Sequence, residues 1–301
     1  MACSSTHVCC CAVRIVPQQR ASGARHAANY NDWVKRSVLK RLQRINDDFY
    51  TGHGREFAST RQRIQPGVRR LVETLRGDES VLDLGCGNGT LARELARRGH
   101  RGAYLGVDSS EELLREARAA GWGVRAEFVR ADLLQLAKAR VSEPPLESGG
   151  GSIQRADLHE AMEAVGETRW MIVAAFAVLH HIPAREQRQQ VLGAVRGWMH
   201  PEGRLFLSNW QFLDHPRLRT RIRPWSTAGL TASDLDANDY LLDWRHGRTG
   251  LRYAHQFDEA ELRDLSAACG FIVMETFYSD GANHKSGLYQ VWQPGAAATR
   301  N

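Results

Sequence analysis

The stretch Val81-Leu82-Asp83-Leu84-Gly85-Cys86-Gly87-Asn88-Gly89-Thr90 sets the architecture that we expect of this chain. A short apolar run leads directly into a loop with glycine at every second position, and a helical pattern follows. Glycines let a backbone approach a ligand closely, and the first amide groups of a helix are free to bind it. The order strand, loop and helix therefore predicts a cofactor site at the start of an α/β domain.

Two acidic residues indicate which cofactor such a loop binds. Asp83 stands two residues before the first glycine, where a carboxylate can meet the cationic methionine end of S-adenosylmethionine (SAM). Asp108 ends the next predicted strand, where it can accept hydrogen bonds from both ribose hydroxyls. Dinucleotide enzymes share such a ribose acid, but they place glycine where this chain has Thr90. The pattern favours SAM, and the other contact residues that we expect here are Gly85, Cys86, Gly87, Gly89 and Ser109.

Later segments follow at the spacing of a known superfamily. The third predicted strand ends in Arg130-Ala131-Asp132-Leu133, the fourth contains Phe176, and Met199–Arg204 is predicted as the turn before the fifth. Together with the glycine loop, this series resembles the class I SAM-dependent methyltransferases over about residues 77–208. The resemblance implies that Asp132 accepts a hydrogen bond from the adenine amino group, and we expect Leu133 and Phe176 beside the cofactor.

The alternation of strands and helices predicts the fold class. We expect an α/β, Rossmann-like domain with a seven-stranded, mostly parallel sheet, one antiparallel edge strand and helices on both faces. This domain covers residues 77–295. It contains a Pro-, Gly- and Ser-rich insertion at 138–168 and a substrate cap, rich in Trp, Arg and His, at 209–255.

Two further segments precede the domain. Residues 1–30 show no helical or strand pattern, and we predict a disordered leader. Residues 31–76 form a basic helical extension, whose first helix we predict from Asp32 to about Tyr50. The leader loosely resembles an organellar transit peptide, and a start assigned too far upstream explains it equally well.

Charge is unevenly distributed along the chain, whose net charge is +6. Residues 1–76 carry fourteen Lys and Arg against five Asp and Glu, whereas residues 77–301 carry 26 against 29. A basic arm on a nearly neutral domain is typical of proteins with a polyanionic partner such as nucleic acid. A solvated basic helix with a basic tail accounts for the same numbers.

Cysteine spacing and hydropathy exclude several classes of protein. The six cysteines include no C-x-x-C pair, so we expect neither a zinc site nor a disulfide framework. A reducing compartment follows, and we predict a cytoplasmic protein without a metal ion. The longest apolar run, Trp170–Leu179, is about half of the ~20 residues that cross a bilayer, so we predict no membrane association.

The residues after the fourth strand exclude several types of methylation reaction. Methylation of pyrimidine C5 needs a nucleophilic cysteine, and none lies near 176–182. Methylation of exocyclic amines in DNA usually shows a D/N-P-P-Y/F motif there, and this chain has Ala177-Val178-Leu179-His180. No carboxylate cluster suited to metal-assisted catechol chemistry can be assembled. O-methylation, some N-methylation and carbanion methylation remain.

Segments on both sides of the cofactor loop carry a closer resemblance. These are Phe49-Tyr50, Phe57-Ala58-Ser59-Thr60-Arg61, Val178-Leu179-His180-His181-Ile182 with Arg185 and Arg188, Trp210, and Arg252-Tyr253-Ala254-His255-Gln256-Phe257. They are similar to the eukaryotic tRNA wobble-uridine carboxymethyl methyltransferases, over about residues 45–135 and 170–292. The family esterifies a carboxymethyl group on uridine and uses a small zinc-binding activator subunit, so the resemblance implies tRNA and such a subunit as partners. The insertion at 138–168 and the leader are not part of the pattern.

The expected chemistry needs no general base, because a carboxylic acid with a pKa near ~4 is already an anion at neutral pH. We expect Arg61 to clamp this carboxylate with its two-pronged guanidinium. His180 and His181 are predicted at the approach of the acceptor, to orient it or to act as a base towards a neutral hydroxyl. Alternatively, one of the two histidines packs beneath the cofactor and only the other faces the substrate.

The cap holds an arginine-rich run, Pro216–Trp225, in which four arginines alternate with other residues. If the run is extended, the arginines share one face, and with Trp210, Phe212 and Trp225 nearby they suit phosphates and unstacked bases. A solvated cap over a small-molecule pocket has the same composition. Two alternatives to tRNA therefore remain: a small-molecule O- or C-methyltransferase, and a SAM-binding scaffold without activity, which the intact cofactor acids disfavour.

Overall fold

The chain alternates strands and helices through most of its length. The computed structural model describes residues 36–59, 63–120, 126–141, 169–246 and 248–295, so the predicted leader, Arg61 and most of the insertion lie outside it. The strands are β1 Val81–Leu84, β2 Tyr104–Asp108, β3 Ala126–Arg130, β4 Trp170–Phe176, β5 Met199–Trp210, β6 Ile222–Arg223, β7 Asp239–His246, β8 Arg248–His255, β9 Phe271–Ser279 and β10 Gly287–Pro294. The helices are α1 Arg36–Ser59, α2 Pro66–Val72, α3 Thr90–Arg97, α4 Glu111–Ala119, α5 Leu133–Val141, α6 Arg185–Trp198, α7 Pro216–Arg219 and α8 Glu259–Ala268.

The main sheet has the predicted architecture. Among the described residues it contains seven strands in the order β3-β2-β1-β4-β5-β10-β9. The pairs from β3 to β5 are parallel, and β10 runs antiparallel to both β5 and β9. The α/β, Rossmann-like fold class is therefore confirmed. The order of the strands along the chain reverses at the centre of the sheet, between β1 and β4. Ligands of open α/β sheets bind at the carboxyl ends of the strands at such a reversal.

Burial on both faces explains the continuous apolar run of β1. This strand lies between β2 and β4, and all four of its residues are buried. One core beneath the sheet includes Trp170 and Trp292, and the other includes Tyr104 and Phe206. A strand that is covered on both faces has no solvent-facing side, so apolar and polar residues do not alternate along it. Asp83 is the one polar residue of β1.

The segment predicted as a substrate cap, 209–255, contains regular structure that the sequence analysis did not predict. Strands β6, β7 and β8 form a separate antiparallel sheet. Helix α1 packs on it, with Val38 and Leu42 against Tyr253, and Ile45 against Leu241. The helix ends at Ser59 and not near Tyr50, and beyond that point His53 is buried beside Gly250 of the cap sheet. The described residues all belong to one compact unit, 34–301.

Two local expectations were wrong. The predicted turn at Met199–Arg204 is the first part of β5, joined to β4 through a register irregularity between Trp170 and Ile172. The arginine-rich run is not extended: it forms α7 and then enters β6, so the arginines do not share one face. Arg217 and Arg219 are exposed, whereas Arg223 is paired with the Asp243 carboxylate. Pro216, which cannot donate a backbone hydrogen bond, occupies the first turn of the helix.

Hydropathy along the helices is moderate. No helix in the described part of the chain is both long and apolar enough to cross a membrane.

Candidate active site

The glycine loop joins β1 to α3 in a conformation that glycine alone adopts readily. Gly85 and Gly87 have φ values of +69° and +56°. A Cβ atom at Gly85 would lie 2.5 Å from Cγ2 of Val178, so any other residue would push the loop away from β4. A Cβ atom at Gly87 would meet no protein atom within 4 Å, which leaves room for a ligand beside the backbone. Gly89 also has a positive φ, +76°, and is the residue at which α3 begins.

A cavity of about 580 Å³ opens above this loop, at the carboxyl ends of the parallel strands. This volume is within the usual range for sites that hold a drug-sized ligand. Most of the residues predicted to contact the cofactor lie in its wall, and so does one predicted catalytic residue: Asp83, Gly85, Cys86, Gly87, Asp108, Ser109, Asp132, Leu133, Phe176 and His181. Gly89 and His180 do not line it.

Asp108 is held by the backbone of the two loops that flank it. Its Oδ2 accepts a hydrogen bond from the Gly87 amide at 2.8 Å, and its Oδ1 accepts one from the Ser110 amide at 2.8 Å. Burial raises the pKa of Asp108, and the hydrogen bonds from Ser110, Gly87 and Ser109 oppose that rise. Each carboxylate oxygen has a second lone pair, so the group can still accept bonds from a diol.

Asp83 is a buried acid at the opposite side of the same loop. Its side chain is 3% exposed, and Oδ2 accepts a hydrogen bond of 2.6 Å from the Tyr104 hydroxyl. Burial raises the pKa of Asp83 to about 7; the Tyr104 bond lowers it, and the nearby Asp108 raises it further. A cation placed in the cavity beside Asp83 would favour its ionised form.

Helix α1 forms a wall of the cavity with residues that the sequence analysis did not single out for contact. Gln43, Asn46, Asp47 and Tyr50 line the cavity, and their spacing puts them on one helical face. Burial raises the pKa of Asp47, and repulsion by Asp132 adds to this, so α1 reaches the predicted adenine end. The signal in the sequence is the polar stripe opposite the apolar positions of the helix.

His181 sits where three distant segments meet. Its Nδ1 donates to the Tyr253 carbonyl of β8 at 3.0 Å, and its Nε2 lies 2.9 Å from the Tyr50 hydroxyl of α1. Asn46 of α1 bridges the other two segments: its amide nitrogen donates to the His181 carbonyl at 3.1 Å, and its oxygen accepts from the Tyr253 amide at 2.8 Å. The ring is therefore fixed in position and in tautomer.

His180 has a different environment. Its side chain is fully buried, with the ring 4.2 Å from that of His181 and 4.7 Å from that of Trp210, both measured between centroids. The geometry matches the alternative in which only one histidine faces the cavity. Arg61 lies outside the described residues, whereas the exposed Arg63 is part of the cavity wall.

Two buried arginines flank this junction. The Arg252 guanidinium lies 4.7 Å from the ring centroid of Phe49, 4.9 Å from that of Trp210 and 5.3 Å from that of Trp244. Burial lowers its pKa, and a hydrogen bond to Tyr50 partly offsets this. Such an aromatic enclosure stabilises a guanidinium away from water.

Arg188, on α6, supports Tyr253 from behind. Its NH2 group donates to the Tyr253 hydroxyl at 2.9 Å and its Nε donates to the Ile182 carbonyl at 2.9 Å. Burial lowers the pKa of Arg188, but Tyr253 and the carboxylates of Asp239 and Glu261 outweigh that effect and raise it. Arg188 is one of the residues that carry the resemblance. In the structure it holds Tyr253 and the turn after His181 together.

The remaining polar residues of the wall come from the sheet ends. Asn209 lies near the end of β5 and His215 follows that strand, and Asp280 and Ser286 belong to the loop between β9 and β10. The side chain of Asn209 is 1% exposed. Nothing in the sequence around Asn209 distinguishes it from an ordinary strand residue. Within the described residues, no group of three or more His, Cys, Asp and Glu is arranged to hold a metal ion.

Comparison with known proteins agrees with this geometry. Residues 55–276 match a family model described as a methyltransferase domain. A protein of Encephalitozoon cuniculi named as a methyltransferase is 27% identical over 234 residues, which cover 77% of this chain and 90% of that protein. The trans-aconitate 2-methyltransferase of Pseudomonas paraeruginosa is 44% identical over 79 residues, 26% of this chain and 27% of that enzyme.

Solved structures share the fold at low identity. A SAM-dependent methyltransferase from Methanosarcina mazei has a TM-score of 0.52 at 20% identity and covers 78% of this chain and 100% of its own. The Burkholderia thailandensis 1,6-didemethyltoxoflavin-N1-methyltransferase, with S-adenosylhomocysteine bound, has a TM-score of 0.52 at 19% identity, covering 86% and 88%. A methyltransferase in complex with the Haloferax volcanii Trm112 activator has a TM-score of 0.54 at 14% identity, covering 85% and 100%.

Proposed function

The chain belongs to the methyltransferase-domain family and is a SAM-dependent methyltransferase, and we propose that it esterifies a carboxylate on a wobble uridine of tRNA. One observation carries the proposal. Three of the segments that resemble the wobble-uridine enzymes, around Tyr50, His181 and Tyr253, are joined by hydrogen bonds, and Tyr50 and His181 line the cofactor cavity. Segments far apart in sequence that carry a family's pattern and meet at one cavity support a site of that family's kind.

The cofactor roles follow from the residues of the cavity wall. We assign Asp108 to the ribose hydroxyls, Asp132 to the adenine amino group and Asp83 to the cationic methionine end. The loop of Gly85, Cys86 and Gly87, the end of β2 at Ser109, and the side chains of Leu133 and Phe176 complete the enclosure. The open space beside Gly87, the buried Asp83 and the half-buried Asp108 fit such a ligand. Gly89 acts indirectly, by allowing the turn into α3.

Bound SAM supplies a methyl group on a positively charged sulfur. The chain's own residues then need to hold a carboxylate in line with that methyl group and to exclude water. A carboxylate is ionised at neutral pH, so no side chain has to remove a proton. The only cavity-facing imidazole among the two predicted histidines, His181, already makes a hydrogen bond through each ring nitrogen, which supports an orienting role.

Charge outside the cavity supports a polyanionic acceptor. Arg217 and Arg219 are exposed on α7, which belongs to the cap at residues 209–255, and Arg63 is exposed at the cavity wall. Arg63 lines the cavity, and Leu218 of α7 lines it too, so exposed positive charge lies near the cavity on both segments. The wobble-uridine resemblance assigns a further arginine, Arg61, to the carboxylate. The same resemblance implies a small activator subunit, and one protein of the same fold is known in complex with such an activator.

A small carboxylic acid is the second candidate acceptor. It is favoured by the match to a trans-aconitate methyltransferase, although that match covers 79 residues. Both candidates present a carboxylate, so the same site chemistry serves either one. The cap differs in role: it would contact RNA in the first case and close over the acid in the second.

Competition between acceptors tests the proposal. The protein, alone and with a co-expressed activator subunit, is incubated with labelled SAM and either tRNA rich in 5-carboxymethyluridine or trans-aconitate. We expect label in the tRNA fraction and expect unlabelled tRNA to compete far better than an equal concentration of trans-aconitate. Label confined to small acids would replace tRNA by the second candidate. Label in neither fraction, with SAM bound, would refute a carboxylate acceptor.

A further inference from the structure

The proton positions around His181 follow from its partners. The Tyr253 carbonyl oxygen can only accept, so the His181 Nδ1, 3.0 Å away, carries a hydrogen. A neutral ring then has a lone pair on Nε2, and the Tyr50 hydroxyl at 2.9 Å donates to it. The other possibility is a protonated ring, whose Nε2–H donates to the Tyr50 oxygen. In that state the Tyr50 hydrogen is released for another acceptor.

Tyr50 is the member of this pair that stands between the ring and a buried cation. The Arg252 guanidinium hydrogen-bonds its hydroxyl, and Tyr50 itself lines the cavity. A guanidinium donates only, so it occupies a lone pair of the Tyr50 oxygen and polarises the hydroxyl. A hydroxyl that receives a bond from a cation is a stronger donor towards an anion.

We propose that Tyr50 contacts the methyl acceptor by donating a hydrogen bond to its carboxylate, and that His181 is a positioning residue which takes up a proton when that carboxylate binds. The inference rests on the proposed carboxylate acceptor and adds the residue that recognises it. Tyr50 turns its hydrogen from His181 Nε2 to a carboxylate oxygen. A proton from solvent then binds to Nε2, and the resulting Nε2–H donates a hydrogen bond to the Tyr50 oxygen.

This arrangement accounts for every atom in the transfer. A lone pair of the second carboxylate oxygen forms the new bond to the methyl carbon, and the carbon–sulfur bond breaks with its electron pair remaining on sulfur. No proton leaves the acceptor. The product ester is neutral, so it no longer stabilises the charged His181, and the proton returns to solvent when the product departs.

The groups that face His181 disfavour its charge until an anion is present. Tyr50 faces the ring from α1, the Tyr253 carbonyl from β8, Trp210 from β5 and His180 from its own turn. Beyond them, Arg252 acts through Tyr50, whereas Arg188 acts through Tyr253 together with the carboxylates of Asp236, Asp239 and Glu261, which compensate its charge. Arg252, in contact with Tyr50, opposes protonation of the ring, and a carboxylate bound to Tyr50 offsets that cation.

Calorimetry of acceptor binding tests the coupling directly. An anticodon stem-loop with 5-carboxymethyluridine, and separately trans-aconitate, is titrated into the protein with S-adenosylhomocysteine, in two buffers of different ionisation enthalpy at about pH 7.5. We expect proton uptake on binding in the wild type. Substitution His181→Gln keeps a donor at the position of Nε2, so binding persists without proton uptake. Kinetics should show the same coupling: the wild-type KM for the acceptor rises between about pH 6 and about pH 9, whereas that of His181→Gln stays flat.

Variants of Tyr50 separate recognition from folding. Tyr50→Phe should raise KM for the acceptor roughly 10-fold to 100-fold, the value of a lost hydrogen bond to a charged group, with kcat within about twofold. His181→Leu should raise KM similarly, because leucine can neither accept a hydrogen bond from the Tyr50 hydroxyl nor donate one to it. Tyr240→Phe, on the half-buried cap strand and outside the cavity wall, is the matched control and should leave both constants and the melting temperature unchanged.

The outcomes distinguish this inference from its premise. A wild type that binds and methylates a carboxylate, while Tyr50→Phe keeps its KM or binding proceeds without proton uptake, overturns the role of Tyr50 and leaves the proposed function standing. A wild type that accepts neither carboxylate overturns both. If Tyr50→Phe lowers the melting temperature, its affinity for S-adenosylhomocysteine shows whether the site is still folded. That affinity stays unchanged if only acceptor recognition is lost.

Discussion

At the scale of single residues, the two acids of the cofactor loop differ in how they are satisfied. Asp108 accepts backbone hydrogen bonds from Gly87, Ser109 and Ser110, whereas Asp83 is buried and accepts one hydrogen bond from a phenol. A buried acid with one neutral partner costs stability when it is ionised. We infer that Asp83 is maintained for ligand binding at the expense of stability in the ligand-free protein.

The first prediction concerns the pH dependence of stability. Burial raises the pKa of Asp83 to about 7, above the ~3.9 of an unfolded chain, so the folded state holds the proton more tightly. Between these values the unfolded state binds fewer protons, and the contribution of Asp83 to stability falls as pH rises through the pKa of about 7. Asp83→Asn removes this effect. Urea unfolding from about pH 5 to about pH 8 should show the variant gaining on the wild type by up to ~1.4 kcal/mol per pH unit. A difference that does not change with pH would contradict the raised pKa.

The second prediction concerns cofactor affinity. Asp108→Ala should weaken SAM binding by ~1–3 kcal/mol, because a buried carboxylate that accepts from ribose hydroxyls is lost. Isothermal calorimetry measures the change, and Asp264→Ala, an exposed acid on α8, is the control. Unchanged SAM affinity in Asp108→Ala would remove this residue from the ribose role.

At the scale of elements, the site depends on how α1 and the cap strands are tied to the turn after β4. The Asn46 side chain makes hydrogen bonds to both the His181 carbonyl and the Tyr253 amide. Because the three segments come from different parts of the chain, their relative position depends on this amide, on the two ring bonds of His181 and on the packing of Leu42 against Tyr253. Helix α1 therefore shapes the cavity together with the main sheet.

The third prediction follows from this tie. Asn46→Ala should lower the free energy of unfolding by ~1–3 kcal/mol, because it leaves a buried backbone amide and a buried carbonyl without that partner. Asp48→Ala, exposed two residues along the same helix, should change stability by less than ~0.5 kcal/mol. Chemical denaturation compares the two variants. Equal stability would show that the contact between α1, β8 and the histidine turn rests on apolar packing.

The fourth prediction concerns the exposed arginines of α7. Arg217→Glu with Arg219→Glu should weaken tRNA binding and reduce its dependence on log salt concentration by ~0.7–0.9 per lost phosphate contact. SAM affinity should not change. Arg101→Glu with Arg263→Glu alters the same charge at exposed positions outside the cap and is the control. Equal loss in both double variants would indicate net charge, and not α7, as the cause.

At the scale of the whole molecule, the sequence predicted the features that depend on local pattern. The apolar run of β1, the glycines after it and the acids at the ends of β1 and β2 define both the sheet and the cofactor cavity, because strand ends in a parallel sheet meet at one edge. The main sheet, its antiparallel edge and many residues of the cavity wall could be predicted for that reason.

What depends on long-range packing could not be predicted. The cap strands β6 to β8 have mixed polar sequences and become a sheet only against α1, so no period in the sequence marks them. His180 and His181 are adjacent and chemically alike, and which one faces the cavity depends on the Tyr253 carbonyl and the Tyr50 hydroxyl. Arg223 forms an ion pair with Asp243, a residue 20 positions away in a strand that the sequence does not indicate.

The most direct test of the central claim is the chemical nature of the transferred methyl group. tRNA is incubated with the protein, with and without a co-expressed activator subunit, and with SAM labelled in the methyl group, then digested to nucleosides and analysed by mass spectrometry with and without mild alkali. An ester is cleaved by mild alkali, whereas a methyl group on carbon, nitrogen or an ether oxygen is not. We predict one labelled nucleoside that is a methyl ester of a carboxymethyl-type uridine and that loses its label as methanol. An alkali-stable methyl group, or label absent from tRNA and present only in a small molecule, would contradict the account.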